Sequence, residues 1–187
     1  MSRLKRDDWA EAALEVLASG GVSAVAVEPL AQSLGTTKGS FYWHFKARQD
    51  LVKAALALWE RRSTDEVIAR VEASGGTAEE RVRLLFSWVF DPHSLTGVDV
   101  RLLTHADSPL VSEVLDRVTR RRIDYVAKLL RQAGLSPRMA RRRAVLAYSA
   151  FLGNVQLLQA DPDLVRAAVG SLSAYADDVV QLLVRQP

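Results

Sequence analysis

The sequence predicts an all-α chain: a small three-helix unit at residues 1–46, joined by one long helix to an α-helical bundle at 47–187, with about nine helices in all. Three observations predict it. Apolar residues recur at helical spacing along nearly the whole chain. Strand character is confined to Val22–Val27 (VSAVAV), which is short and has no pairing partner of similar composition. Gly, Pro, Ser, Thr and Asp fall where helices must start and stop. With 187 residues, 49% of them hydrophobic, the chain can build one large or two small cores. It has no cysteine, which excludes disulfides and thiol chemistry and leaves any zinc site to His and carboxylates. No apolar run approaches the roughly 18 residues of a membrane span. MSRLKRDDW lacks the apolar segment of a signal peptide and reads as an unprocessed start, so a cytoplasmic location without a membrane partner is expected. The net charge of +3 permits nucleic acid as a partner without demanding it.

The elements follow in order. Asp8 and Glu11 have capping-box spacing, and Trp9, Ala13, Val16 and Leu17 then form one apolar stripe that Gly20 and Gly21 end. A second, short helix carries Pro29 in its first turn, where the missing N–H costs nothing. Leu30, Ala31 and Leu34 give it an inward face, and Gly35 stops it. A third helix follows Thr37 and covers Lys38–Phe45. The fourth runs from about 47 to 72 with Leu51, Ala55, Leu58 and Trp59 on one face. SGGT at 74–77 breaks it, and Thr77 with Glu80 offers a second capping box before a helix to about Phe90. DPHSLTG at 91–97 reads as a loop, then a short helix covers about 98–105 and a long one 109–134. SPRM at 136–139 opens the next, about 138–160, and DPDL at 161–164 opens the last, about 162–185. Composition shifts near residue 46, where short helices with tight Gly turns give way to long ones; no flexible linker separates the two parts.

A helix, a Gly-containing turn and a second short helix form a helix-turn-helix arrangement: here 27–34, Gly35-Thr36-Thr37 and 38–45. The run GSFYWHF puts Phe41, Tyr42, Trp43, His44 and Phe45 in succession in a chain that is only 7% aromatic. At about 100° per residue, Phe41 and Phe45 point inward together and Trp43 points the opposite way with Gly39 and Ser40. Lys38 opposes the macrodipole at a helix start, Gly39 costs on the order of 1 kcal/mol relative to Ala, and an outward Trp gains nothing alone. An anionic groove favours each: Lys and N-terminal N–H groups attract phosphate, Gly permits close approach, and Ser and Trp can meet base edges or thymine methyls.

The run LAQSLGTTKGSFYWHFKARQDLV (30–52), with the earlier Gly-Gly, resembles the DNA-binding domain of the tetracycline-repressor (TetR) family of transcriptional regulators over about the first 55 residues. The resemblance implies a homodimeric repressor that binds a palindromic operator in double-stranded DNA and is released by a small-molecule inducer. Carried onto this chain, Thr37, Lys38, Gly39, Ser40 and Trp43 would face bases, and Tyr42, His44, Lys46 and Arg48 would contact phosphates. Ala26-Val27 stand where the family often has a hydroxyl cap that also touches phosphate, so no contact carries over there. Ala47 stands where Ser or Asn often caps the fourth helix, leaving Asp50 and Gln49 to satisfy that terminus.

The resemblance also implies a ligand pocket and a dimer surface in the second part. The last two helices suit the dimer: Ala144, Ala147, Tyr148, Phe151, Leu152 and Val155 make one helix apolar on more than one face, and Leu172, Tyr175, Val179, Leu182 and Leu183 stripe the other. Both faces being intramolecular core is the alternative. Pocket candidates are Trp59, Phe86, Phe90, Tyr125, Tyr148 and Phe151, with Asn154 and His105 as polar members, and each also reads as plain core. The expected ligand is mostly apolar and of moderate size. Asp91, His93, Asp99, His105 and Asp107 lack regular metal-site spacing and read as solvated polar residues, so no metal or cofactor is expected. Arg120–Arg122 and Arg138 with Arg141–Arg143 read as charged helix surface. Ser40 and His44 are one helical turn apart but lack an acid partner, and no GxSxG, P-loop or dinucleotide fingerprint occurs, so the chain is not expected to be an enzyme. A helical protein-interaction module without DNA binding is the alternative function.

Overall fold

The computed structural model describes residues 4–90 and 97–185, apart from the side chain of Leu172. Eleven α-helical segments and one π-helical turn form its regular structure, with no strand among the described residues. They are α1 (Arg6–Ala24), α2 (Val27–Ser33), α3 (Lys38–Tyr42), α4 (Arg48–Glu60), the π-turn Arg61–Asp65, α5 (Glu66–Ala73), α6 (Ala78–Val89), α7 (Val98–Leu103), α8 (Pro109–Gln132), α9 (Pro137–Ala160), α10 (Pro162–Val169) and α11 (Leu172–Val184). With Arg48–Ala73 counted as one helix carrying a π-turn, the total is ten against about nine expected. The extra one comes from 162–185. Gly170 takes φ 66, ending α10, and the Ser171 hydroxyl accepts from Ala174 N–H to open α11. The expected loop residues 91–96, with Asp91 and His93, lie outside the described residues.

Most caps sit where the sequence puts them. Thr77 N–H donates to Glu80 Oε2 at 2.7 Å, and Glu80 N–H donates to Thr77 Oγ1 at 3.2 Å, closing the capping box of α6. Ser136 and Asp161 cap α9 and α10, each followed by a first-turn proline. Ala47 has no capping side chain, but its N–H donates to Asp50 Oδ2 at 3.1 Å. The start of α1 differs from expectation. Asp8 is the third helical residue, not the cap, and accepts from Lys5 N–H at 2.6 Å. At the other end Gly21 breaks the helix as expected, but at φ 74, ψ −175, outside left-handed cap geometry, and helical turns resume to Ala24 beyond that kink.

The chain packs as two compact units, residues 1–65 with 101–116, and 66–100 with 117–187. The first thus extends past the expected boundary at 46, because α4 packs along α1. Its core holds Trp9, Ala13, Leu17, Leu30, Ala31, Phe41, Phe45, Leu51, Ala55, Leu58 and Trp59, all buried. Arg61 pairs with Asp7 at 2.9 Å and Arg62 with Glu11 at 2.8 Å, fastening the π-turn to α1. Both pairs are half exposed and contribute well under about 1 kcal/mol each. The core of the second unit joins Val82, Leu85 and Phe86 of α6 with Tyr125, Leu129 and Leu130 of α8, Ala140, Ala144 and Ala147 of α9, and Val180 and Leu183 of α11. Among the described residues, no single helix is long and apolar enough to cross a membrane.

Gly21 tolerates a side chain poorly. Its backbone lies in a region open essentially to glycine alone, and a Cβ there would stand 3.0 Å from His105 Nδ1. Gly21→Ala is expected to destabilise the fold by about 1–3 kcal/mol. Thermal and denaturant unfolding check this, and an unchanged midpoint would contradict the backbone geometry.

Candidate nucleic-acid interface

The interface is built on α2, a turn and α3. Gly35 takes φ 63 after α2, which lets Thr36 N–H reach back to Ala31 O at 2.9 Å and turns the chain sharply. Thr37 then opens α3, its Oγ1 accepting from Ser40 N–H at 3.4 Å. The helix is shorter than the 38–45 expected. It ends at Tyr42, because the Phe41 carbonyl takes both His44 N–H at 2.9 Å and Phe45 N–H at 3.0 Å and tightens the chain into a turn. A five-residue helix has little macrodipole, so charge attraction here rests on side chains.

The two-faced arrangement survives the shortening. Phe41 and Phe45 are buried, stacked on each other at 5.5 Å, and Phe41 meets Trp9 edge-on at 5.6 Å. On the outer side Trp43 is 80% exposed and Tyr42 59%. Thr37, Lys38, Gly39 and Lys46 are exposed; Ser40 and His44 are half-buried. Thr37, Gly39, Ser40, Trp43 and His44, together with Leu4, line an open concavity of about 340 Å³. A Cβ on Gly39 would meet only Thr37 Oγ1 at 3.5 Å, an ordinary contact, so nothing within the chain requires glycine there.

Two expected cations already have partners. Lys38 Nζ donates to Glu28 Oε1 at 2.6 Å. The hydrogen bond to Lys38, then its charge, holds the Glu28 carboxyl below its usual range, and Glu28 in turn raises Lys38, so both are ionised at neutral pH. Arg48 Nη1 donates to Val22 O at 2.7 Å and Val25 O at 3.1 Å, which fastens the end of α1 to the start of α4. Sequence reasoning missed Glu28, Leu4 and Arg6, whose guanidinium lies 4.8 Å over the Phe45 ring. Each reaches α3 or the turn after it only through tertiary packing; the sequence offers no spacing that signals it.

The ligand candidates divide. Trp59 and His105 belong to the first unit, with His105 against Gly21. Phe86, Phe90, Tyr125, Tyr148, Phe151 and Asn154 belong to the second. There Phe90 meets Phe151 at 6.5 Å and Tyr175 at 5.5 Å, and Tyr148 stacks on Phe151 at 6.2 Å. Burial first, then the Glu72 carboxylate, pushes the Tyr125 phenol above its ordinary range. Asn154 is 5% exposed, and its Nδ2 has no hydrogen-bond partner among the described residues. Arg122, expected on the surface, is instead mostly buried: it pairs with Asp99 at 2.5 Å and lies about 6 Å over both Tyr148 and Phe151.

The sequence model described as "Bacterial regulatory proteins, tetR family" matches residues 10–55, the stretch that carries this surface. The HTH-type transcriptional regulator AcrR of Shigella flexneri is 26% identical over 157 residues, 73% of this chain and 69% of that protein. Residues 10–55 form a TetR-family DNA-binding domain. The chain is also 39% identical to the tetracycline repressor protein class D of Escherichia coli over 54 residues, 29% of this chain and 25% of that one. A TetR transcriptional regulator from Legionella pneumophila shares the fold with a TM-score of 0.76 over 95% of this chain and 97% of its own, at 13% identity. A transcriptional regulator FadR from Bacillus subtilis, solved with stearoyl-CoA, matches with a TM-score of 0.66 over 96% of this chain and 98% of its own, at 20% identity. The chain is a DNA-binding transcriptional regulator, and the family its N-terminal domain matches is one of regulators rather than enzymes.

Gly39 separates stability from binding. Gly39→Ala is expected to leave unfolding unchanged or improve it by up to about 1 kcal/mol, through helix propensity. The same change is expected to weaken duplex binding about tenfold or more by holding the backbone off the groove. Paired unfolding and gel-shift titrations check this; equal binding by the alanine variant would refute a close approach at Gly39.

Proposed function

We propose that the chain is a homodimeric repressor in the cytoplasm, whose α3 enters the major groove of a palindromic operator and which a small molecule releases. Residues 1–46 carry the reading function and 47–187 the ligand and dimer functions. The observation that carries this reading is the outward face of α3 and the turn after it: an exposed Trp43 and Tyr42 beside Lys38, Gly39 and Ser40, held over a buried Phe41–Phe45 pair. Thr37, Lys38, Gly39, Ser40 and Trp43 address base edges, and Tyr42, His44 and Lys46 address phosphates. Arg48 reaches phosphate with what its carbonyl contacts leave free.

The dimer surface is assigned to α9 and α11. Val145, Leu146 and Leu157 of α9 and Leu182 of α11 are all exposed, while the opposite side of α9 is buried through Ala140, Ala144 and Ala147. Large exposed leucines on neighbouring elements favour burial against a second copy. The ligand site is assigned to the second unit, among Phe86, Phe90, Tyr125, Tyr148, Phe151 and Asn154, whose unpartnered amide supplies a donor to an otherwise apolar molecule. The ligand releases DNA only to the extent that it binds one arrangement of the dimer more tightly than the other.

Tyr42→Ala is expected to weaken binding to duplex from the upstream region of the protein's own gene by about 1–3 kcal/mol, measured by gel shift at fixed salt. Full binding by a Tyr42→Ala, Lys38→Ala double variant would defeat the groove assignment. Leu146→Glu with Leu182→Glu is expected to convert a dimer to monomer in sedimentation velocity and to abolish binding to the full palindrome. A variant that sediments unchanged would move the interface elsewhere.

A further inference from the structure

Glu28 sits in the first turn of α2 and reaches Lys38 at the start of α3, with Oε1 and Nζ 2.6 Å apart and the two side chains 67% and 53% exposed. A carboxylate beside a surface that meets phosphates repels them unless it finds a donor on the bases. It also draws Lys38 sideways from the phosphate a lone lysine would seek. We propose that Glu28 and Lys38 act as one reading unit for a single C·G base pair in each half-site, Glu28 accepting from cytosine N4 and Lys38 donating to guanine O6 and N7. The inference rests on the reading of α3 as the major-groove element and adds α2 to the specificity surface.

The match is geometric and chemical. In a C·G pair N4 and O6 are hydrogen-bonded to each other, about 2.9 Å apart, so a donor and an acceptor lie side by side on the major-groove edge. The Glu28–Lys38 pair presents an acceptor and a donor at nearly that spacing and in the complementary sense. An A·T pair offers N6 and O4 in the same order, but there the carboxylate also meets the N7 acceptor of adenine and the ammonium meets the thymine methyl. In C·G the carboxylate meets only the cytosine C5–H, and the ammonium finds two acceptors. The reversed pairs put donor against donor. An exposed ion pair that merely offsets Lys38 within the fold would carry no such preference.

The test is selection from a randomised duplex library by the full-length wild type, Glu28→Gln and Glu28→Ala, each first shown to keep the wild-type helical content and unfolding midpoint. The wild type is expected to enrich one C·G position per half-site about tenfold over other pairs. Glu28→Gln is expected to move that position alone towards A·T, since an amide bonds adenine N6 and N7 together. Glu28→Ala is expected to flatten it. Variants that enrich the wild-type motif unchanged, or that blur it at every position alike, overturn the inference while leaving α3 as the reading element. A wild type that enriches no sequence overturns the reading of α3, and this inference with it.

Discussion

Trp9, Phe41 and Phe45 pack edge-on and stacked at 5.5–5.6 Å, and the outward chemistry of α3 depends on that cluster. A five-residue helix is far below the ~12–15 residues at which an isolated helix becomes marginally stable in water. Each buried phenylalanine contributes about 1.5–3 kcal/mol, and together they fix both the position of α3 and its rotation. Once orientation is set from beneath, the outer residues need not be good helix formers. Gly39, Lys38 and an exposed Trp43 are then tolerated.

The split faces of α3 were legible because they depend on local direction alone: Phe41 and Phe45 share a side whether the chain between them is helix or turn. Caps were legible for the same reason. Thr77 with Glu80, Ser136 with Pro137, and Asp161 with Pro162 act within four residues. Length was less legible. The helical period continues through Trp43 and His44, and nothing local announces that the Phe41 carbonyl will accept two N–H groups. Gly170 was the reverse case, a breaker inside an apolar period that the period concealed.

Arginine roles lay furthest beyond the sequence, because a guanidinium reaches across elements and its partner is set by packing. Arg48 donates to the carbonyls at the end of α1, and Arg143 does the same for α11 through Leu183 O at 2.7 Å. Both satisfy acceptors that a helix end leaves open. Arg122 does something else, giving up most of its hydration to lie over Tyr148 and Phe151 beside Asp99. In sequence all three are the same residue type on a polar stretch of helix or beside a helix start. Only the carbonyl, ring or carboxylate that each meets distinguishes them.

The two units therefore answer to different constraints. The likeness to known regulators is densest in residues 10–55, and with the tetracycline repressor it stops after 54 aligned residues. A duplex has a groove of fixed width and a fixed order of donors and acceptors, so whatever reads it must hold a short helix at a set height and rotation. In the reading proposed for α3, the Trp9–Phe41–Phe45 cluster supplies that. The second unit meets no such template. Its interior carries a mostly buried ion pair on two aromatic rings and a buried, unpartnered Asn154 amide. A well-packed apolar core of the same volume is often at least as stable, so stability does not account for these groups. In the ligand site proposed for this unit, they would restrict which polar and aromatic surfaces a guest must match.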